Sequence, residues 1–372
     1  MDKKLKIAII GSRGYPYVYS GYETLVKELS ERLVNKNHDV RVYCHRSLFK
    51  IKPKYVNGIE LVYTPSIETK FLSQIINSFF SFLHVCFYKV DVVLIVNSAN
   101  GPFGILTKLF GIKTCINVDG IEWLRPKWKG LGNFYFKFSS KLSTILFDEV
   151  ITDSLEMKKI YNNKFNKNSE VIAYGSTMIK NVSDKLDEFK LIKNDYYLIV
   201  GRLIPDNNSI NIIKGFLESN SKKKIVIVGD VPYMDKYAES VKKYASKNVI
   251  LLGYIRCQKK LSRLYKYCYG YIHGHQFGGT NPTMINALDF NLQILALKTY
   301  FNVEMLQNKD VIYFQNEIES IAKSIIKFEK KYNTIKQNNM NYSIPKNYMW
   351  NNITESYIKT FHKLIFQKNK IL

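Results

Sequence analysis

The chain has 372 residues, 46% of them hydrophobic, which is too long for one ordinary core and too apolar for global disorder, so two domains are expected. Lys plus Arg number 55 against 31 Asp plus Glu, a formal charge of +24 that attracts phosphate, whether in a nucleotide, a nucleic acid or an anionic leaflet. The lysines are scattered, which also fits a plain compositional bias, and the absence of aromatic–basic interleaving or a reader module argues against nucleic acid.

The opening Met1-Asp2-Lys3-Lys4 leads straight into an apolar run without a secretory pattern, so a cytoplasmic protein is expected. Five cysteines (Cys44, Cys86, Cys115, Cys257, Cys268), with no CxxC spacing, read as core residues of a reducing compartment. Lys6–Ile10 is a short strand ending at Gly11. Ser20-Gly21-Tyr22-Glu23 then matches a capping box for a helix whose apolar face is Leu25, Val26, Leu29 and Leu33. From Phe71 to Tyr88 the chain is nearly long and apolar enough to span a bilayer. Gln74, Asn77, Ser78, Ser81 and His84 nevertheless form a polar stripe opposite Leu72, Ile75, Ile76, Phe79, Leu83 and Cys86. That pattern predicts a packed or interfacial helix, not a span.

Val40–Tyr43, Val92–Val96, Thr114–Val118 and Glu149–Thr152 read as further buried strands alternating with helices, which implies a parallel sheet covered on both faces. The pattern restarts after the polar stretch Lys180–Asp195. Tyr196–Val200, Lys224–Val228, Val249–Leu252 and Tyr269–His273 are strands each followed by glycine, with a helix near Ile210–Leu217. Loops gathered at the carboxyl ends of such strands are where open α/β sheets bind ligands. Trp350, Ile353, Tyr357, Phe361 and Leu364 share one face of a final helix. The expected division is residues 1–187 with 350–372, and residues 188–349.

Four stretches carry chemistry. Gly11-Ser12-Arg13-Gly14 runs into a helix start and suits a close backbone approach to an anion or a sugar hydroxyl, although a tight turn with a capped helix explains it equally. His273-Gly274-His275-Gln276-Phe277-Gly278-Gly279-Thr280-Asn281-Pro282 follows a strand and opens a helix, with Thr280 or Asn281 as cap. An anion there meets backbone N–H groups and the positive helix end. No carboxylate or thiolate stands at ligand spacing from His273 and His275, so no metal is expected. Arg202, directly after the Gly201 strand end, suits a pyrophosphate. Val118-Asp119-Gly120-Ile121-Glu122-Trp123 sets two carboxylates beside an aromatic, which suits a sugar; packing of Trp123 and Trp128 in an interdomain cleft is the other reading.

Taken in order, Ile10–Pro16, Ser20–Thr24, Val118–Trp123, Gly201-Arg202 and Gly278–Pro282 resemble the rhamnosyltransferase-type branch of glycosyltransferase family 4, found in bacterial capsule, O-antigen and rhamnan assembly. The resemblance runs over nearly the whole chain. It implies a GT-B fold of two Rossmann-like lobes facing across a cleft, with a C-terminal helix crossing back to the first. It also implies metal-independent, retaining transfer from a nucleotide sugar without a cofactor, the best expectation being rhamnose from dTDP-rhamnose. The acceptor would be a lipid-pyrophosphate-linked saccharide, reached from the inner face of the cytoplasmic membrane by attachment to anionic lipid.

By that resemblance Arg202, Asn207, Ile255, Arg256, Gly278, Gly279, Thr280, Asn281 and Asn286 would surround the donor. Arg13, Gly14, Tyr22, Glu23, Glu122 and Trp123 would shape the acceptor side, with Asp119 as the candidate catalytic group. The chain departs from the family at Asn286 (usually Glu), Asn207 (usually Lys) and Val303 (Arg in this branch). Those departures equally fit a subunit that binds nucleotide or a partner enzyme without turnover.

Overall fold

The computed structural model describes residues 3–16, 21–67, 72–125, 130–231 and 234–366. Ser20, Phe71 and Trp128 lie outside the described residues. The chain divides into two compact units, residues 1–174 with 347–372 and residues 175–346. The expected boundaries at 187/188 and 349/350 stand 13 and 3 residues beyond these.

In the first unit the elements run β1 (Lys6–Ile10), α1 (Gly21–Asn35), β2 (Asp39–His45), β3 (Tyr55–Val56), β4 (Ile59–Thr64), α2 (Leu72–Cys86), β5 (Val92–Val96), α3 (Gly104–Leu109), β6 (Thr114–Val118), α4 (Leu131–Leu146), β7 (Glu149–Thr152), α5 (Leu155–Phe165) and β8 (Glu170–Val171). The strands form one sheet in the order β3-β4-β2-β1-β5-β6-β7-β8, parallel except where β3 meets β4. β1, β5 and β6 are buried almost throughout, as continuous Val/Ile runs in a two-sided sheet must be. The crossover through α1 runs one way across the sheet and those through α2, α3 and α4 run the other. Right-handed crossovers therefore place α1 on one face and α2, α3 and α4 on the opposite face.

The second unit runs β9 (Tyr196–Val200), α6 (Ser209–Glu218), β10 (Lys224–Val228), α7 (Lys236–Lys242), β11 (Val249–Gly253), α8 (Gln258–Lys266), β12 (Gly270–His273), α9 (Pro282–Asp289), β13 (Ile294–Leu297), α10 (Tyr300–Leu306), β14 (Ile312–Phe314) and α11 (Ile318–Asn338). Its sheet is ordered β11-β10-β9-β12-β13-β14 and every pairing is parallel. Tyr197, Phe216, Ile272, Leu295 and Phe328 belong to its apolar core.

The final helix α12 (Trp350–Phe366) returns to the first unit, where it packs on α1 and β5. The expected apolar face is the buried one: Trp350, Ile353, Tyr357 and Phe361 are all covered. Asn117 at the end of β6 donates through Nδ2 to Tyr357 Oη at 2.9 Å, a buried polar tie between sheet and tail. No helix among the described residues is long and apolar enough to cross a membrane.

The sequence pattern of α2 leaves open which of its faces is covered. Its polar stripe faces inward, with Asn77, Ser78 and Ser81 fully buried, while Ile75, Phe79 and Phe80 are exposed. The stripe is held by specific partners: Asn77 Nδ2 donates to Thr64 Oγ1 at 2.8 Å, and Gln74 Nε2 donates to Gly11 O at 3.1 Å.

Candidate functional site

In the second unit β9, β10 and β11 proceed toward one edge of the sheet, whereas β12 lies on the other side of β9. The direction of winding therefore switches between β9 and β12. Loops diverging from such a point leave a crevice outside the carboxyl ends of the strands. Arg202 follows β9, and the segment from Gly274 to Asn281 follows β12, so both flank that switch point.

The two loops are tied together. Asn207 donates through Nδ2 to Arg202 O at 2.7 Å, and its Oδ1 lies 2.8 Å from Nδ1 of His275. Gln276 N–H donates to Asp206 O at 3.0 Å, and Asn302 Nδ2 donates to His275 O at 3.1 Å. Both ends of the Asn207 amide are thus used within the protein, and this residue positions the two loops. Beyond it, Gly278 adopts φ +121°, a conformation that a side chain would strain. Asn281 caps α9, its Oδ1 accepting from Thr283 N at 3.0 Å, and Pro282 fills the first helical position as the sequence suggested. Gly279 and Thr280 are buried in the same turn.

Ile255 and Arg256 lie in the loop after β11, at the same edge but two strands from β9; Ile255 is half-buried and Arg256 exposed. Asn286 sits one turn into α9 and is buried. Its Oδ1 accepts from Thr177 N at 3.2 Å and Ser176 Oγ at 3.4 Å. That oxygen fastens the start of the second unit to α9, so the carbonyl of this residue, expected beside the donor, already has protein partners. His273, buried at the end of β12, has its pKa pushed down to about 3 by burial, which keeps the ring neutral.

In the first unit the winding switches between β1 and β5, and the loop from Gly11 to Gly14 leaves β1 at that point. Gly14 has φ +121°, and a Cβ there would meet Cys44 Sγ at 2.7 Å. Glu23, buried in the first turn of α1, accepts from Arg13 N at 3.0 Å, with the Arg13 guanidinium 4.0 Å away. The carboxylate therefore staples the glycine loop to the helix.

Asp119 follows β6. Its Oδ2 accepts from Tyr174 Oη at 2.7 Å, and its backbone N–H donates to Tyr22 Oη at 3.1 Å. Burial raises the Asp119 pKa, opposed by the hydroxyls of Tyr22 and Tyr174 and by the Arg125 guanidinium. Glu122 pairs with Arg125 at 3.1 Å. Trp123 corrects an expectation: only 3% exposed, it packs edge-on against Tyr161 and Phe165, with Lys164 Nζ 4.9 Å above its ring. Neither face is open to a sugar, because an indole of that size lowers the free energy more by filling the gap over α5. Tyr174 was missed by sequence reasoning; it stands in no motif, and only the fold brings it to Asp119 across 55 residues. Among the described residues no group of three or more His, Cys, Asp or Glu could hold a metal ion.

Residues 183–346 match the family model described as Glycosyl transferases group 1. The second unit is a glycosyl transferase group 1 domain. The glycine turn, Arg202 and the tied loops after β9 and β12 all belong to this domain, and the chain is accordingly a glycosyltransferase. Residues 4–177 match a model described as Domain of unknown function (DUF1972). No curated protein matches the chain.

Solved structures similar to this glycosyltransferase include the sucrose-phosphate synthase of Thermosynechococcus elongatus, at TM-score 0.81 and 12% identity over 98% of this chain and 100% of that one. A glycosyltransferase from Rickettsia africae matches at 0.73 and 14%, over 99% and 100%. HepE of Anabaena, in complex with UDP-glucose, matches at 0.74 and 12%, over 96% and 99%. At such identities the likeness establishes the fold: GT-B, with two α/β lobes built on parallel-dominated sheets.

Proposed function

We propose that the group 1 domain holds a nucleotide sugar at the carboxyl edge of its sheet, and that the enzyme transfers the sugar to a saccharide acceptor received by the first unit. The observation that carries this reading is the pair of loops at the β9/β12 switch point, with Arg202 on one and the Gly278–Asn281 turn on the other. The UDP-glucose seen in HepE supports a nucleotide-sugar donor for a chain of this fold.

In the reaction the bond between the anomeric carbon and the diphosphate breaks, and negative charge develops on the departing phosphate. Arg202 and the N-terminus of α9 supply fixed positive charge at that point. Retention of configuration follows if the acceptor hydroxyl attacks from the face the diphosphate leaves and passes its proton to that phosphate. No metal is needed to balance this step. Asp119, held by the two tyrosines, orients the acceptor on the first unit.

The finer assignment rests on the ordered motifs: rhamnose from dTDP-rhamnose, added to a lipid-pyrophosphate-linked glycan of a bacterial surface polysaccharide at the inner face of the cytoplasmic membrane. The test is a thermal-shift panel of dTDP, UDP, GDP and ADP, followed by transfer assays with the matching sugars and a lipid-pyrophosphate saccharide. A nucleotide that stabilises wild type but not Arg202→Ala supports the donor site. Stabilisation by none of the four, or equal stabilisation of both proteins, overturns it.

A further inference from the structure

The layer formed by α2, α3 and α4 buries an unusual share of polar side chains and leaves large apolar ones exposed. A helix covering a sheet normally points apolar residues inward and polar ones to water. Here the buried residues of α4 are mainly Ser139, Ser140, Ser143 and Thr144, while Leu131 is 87% exposed and Phe134 68%. Phe138 and Ile145 continue the same outward stripe. In α3, Gly104 and Thr107 face inward, with Leu109 74% exposed. α2 buries Asn77, Ser78 and Ser81 beside Phe82 and Val85 and exposes Phe79 and Phe80, and the chain just after it exposes Phe87 at 72%.

Several of the inward polar groups are held by specific partners, so the arrangement is a built one. Ser139 Oγ donates to Ser98 O at 2.6 Å, Ser143 Oγ to Ser139 O at 2.9 Å, and Ser78 Oγ to Asn100 Oδ1 at 2.5 Å. The three outer faces join into one surface. α2 packs on α3 and α3 on α4. The Phe87 and Phe110 rings meet at 5.7 Å, and Lys108 Nζ donates to Ile145 O at 3.1 Å.

Charge selects the occupant. α2, α3 and α4 contain no Asp or Glu, and their lysines, Lys108, Lys137 and Lys141, are all exposed. A second copy of this chain would bring like charges together over an apolar seam. An anionic bilayer offers phosphates to the lysines and hydrocarbon to the rings.

We propose that the α2–α3–α4 face seats the first unit on an anionic lipid bilayer, with the aromatic and aliphatic side chains at the headgroup–acyl boundary and Lys108, Lys137 and Lys141 against lipid phosphates. The helices lie in the plane of the interface, since none is long and apolar enough to cross. This names the surface for the membrane attachment included in the proposed function, but it stands on these helices and not on the donor loops.

The test is co-sedimentation of the full chain with vesicles of phosphatidylglycerol and phosphatidylcholine in equal parts, and with phosphatidylcholine alone. Wild type pellets with the anionic vesicles and mostly stays in solution with the neutral ones. The pair Lys137→Glu and Lys141→Glu lowers partitioning about tenfold or more. The pair Phe134→Ser and Phe138→Ser lowers it similarly, while both variants keep the melting behaviour and nucleotide response of wild type. Wild type remaining in solution with anionic vesicles, or charge reversal without effect, overturns the proposal. So does a dimer in light scattering that the phenylalanine pair dissolves without any vesicle binding. Vesicle binding without a nucleotide response sinks the donor reading and leaves this one standing.

Discussion

Oδ1 of Asn207 and Nδ1 of His275 lie 2.8 Å apart, joining the loop after β9 to the loop after β12 in the group 1 domain. Since Nδ2 of the same amide donates to Arg202 O at 2.7 Å, one side chain sets the spacing of both walls of the proposed donor site. Asn207→Ala removes two bonds, each worth about 1 kcal/mol. Nucleotide affinity, measured by calorimetry, falls by roughly tenfold, and Asn207→Asp, which keeps an acceptor for His275 but no donor for Arg202 O, recovers only part of the loss. An affinity unchanged in Asn207→Ala contradicts the positioning role.

Arg202→Ala removes the guanidinium while leaving the loop bonded through the Arg202 carbonyl. Loss of one preformed stabiliser of developing charge costs about 3 kcal/mol, a fall in kcat of roughly 100-fold or more. Arg202→Lys keeps the charge but loses the planar fork, and steady-state kinetics should place it between the two.

Asp119→Asn separates stability from activity. Burial raises the carboxyl pKa, so above the unfolded value the folded state holds the proton more tightly than the unfolded chain does. The ionised form therefore becomes a growing liability as pH rises through the folded pKa. The amide has no charge to desolvate and still accepts from Tyr174. Asn at this position raises the Tm at pH 7 by a few degrees, on the order of 1 kcal/mol, while transfer falls more than tenfold. A lower Tm at pH 7 counts against the burial argument.

His273 gives an acid limit of known sign. Its folded pKa of about 3 is below the ordinary value of 6.5, so the unfolded chain takes up a proton that the folded one refuses. Stability is complete above about pH 6.5 and declines by roughly 1.4 kcal/mol per pH unit below it, until the folded pKa is reached. His273→Gln removes this slope. Urea melts between pH 4 and pH 7 show it as a smaller spread of midpoints in the variant.

Gly14→Ala tests the loop after β1. The added Cβ meets Cys44 Sγ at 2.7 Å and Cys44 Cβ at 2.8 Å, at a φ of +121°. Steric overlap and backbone strain together cost about 2–4 kcal/mol, read by denaturant unfolding. Cys44→Ala in the same chain relieves the overlap but not the strain, and recovers part of the loss.

Strands β1, β5, β6, β7, β9 and β10 were legible residue for residue, because a strand covered on both faces must be an unbroken apolar run. The short strand β3 and edge strand β14, and the long polar-faced helix α11, carry weaker signals and were not anticipated. The Gly278–Pro282 turn was legible because glycine, a capping Asn and Pro at the first helical position each have a local cause. Trp123 was not, since an aromatic beside carboxylates looks the same whether it faces a sugar or the rings of Tyr161 and Phe165.

The sequence by itself determined the alternation of strands and helices, the two-unit plan and the glycine turn at Gly278, all of which depend on local propensity and periodicity. Only the tertiary structure decided that Asn207 and Asn286 bond protein partners, that Tyr174 meets Asp119, and that α2 hides its polar stripe. Periodicity reports that a helix has two faces. Which face is covered depends on what the neighbouring loops present, and here Thr64, Gly11 and Asn100 offer hydrogen-bond partners that a hydrocarbon stripe could not satisfy.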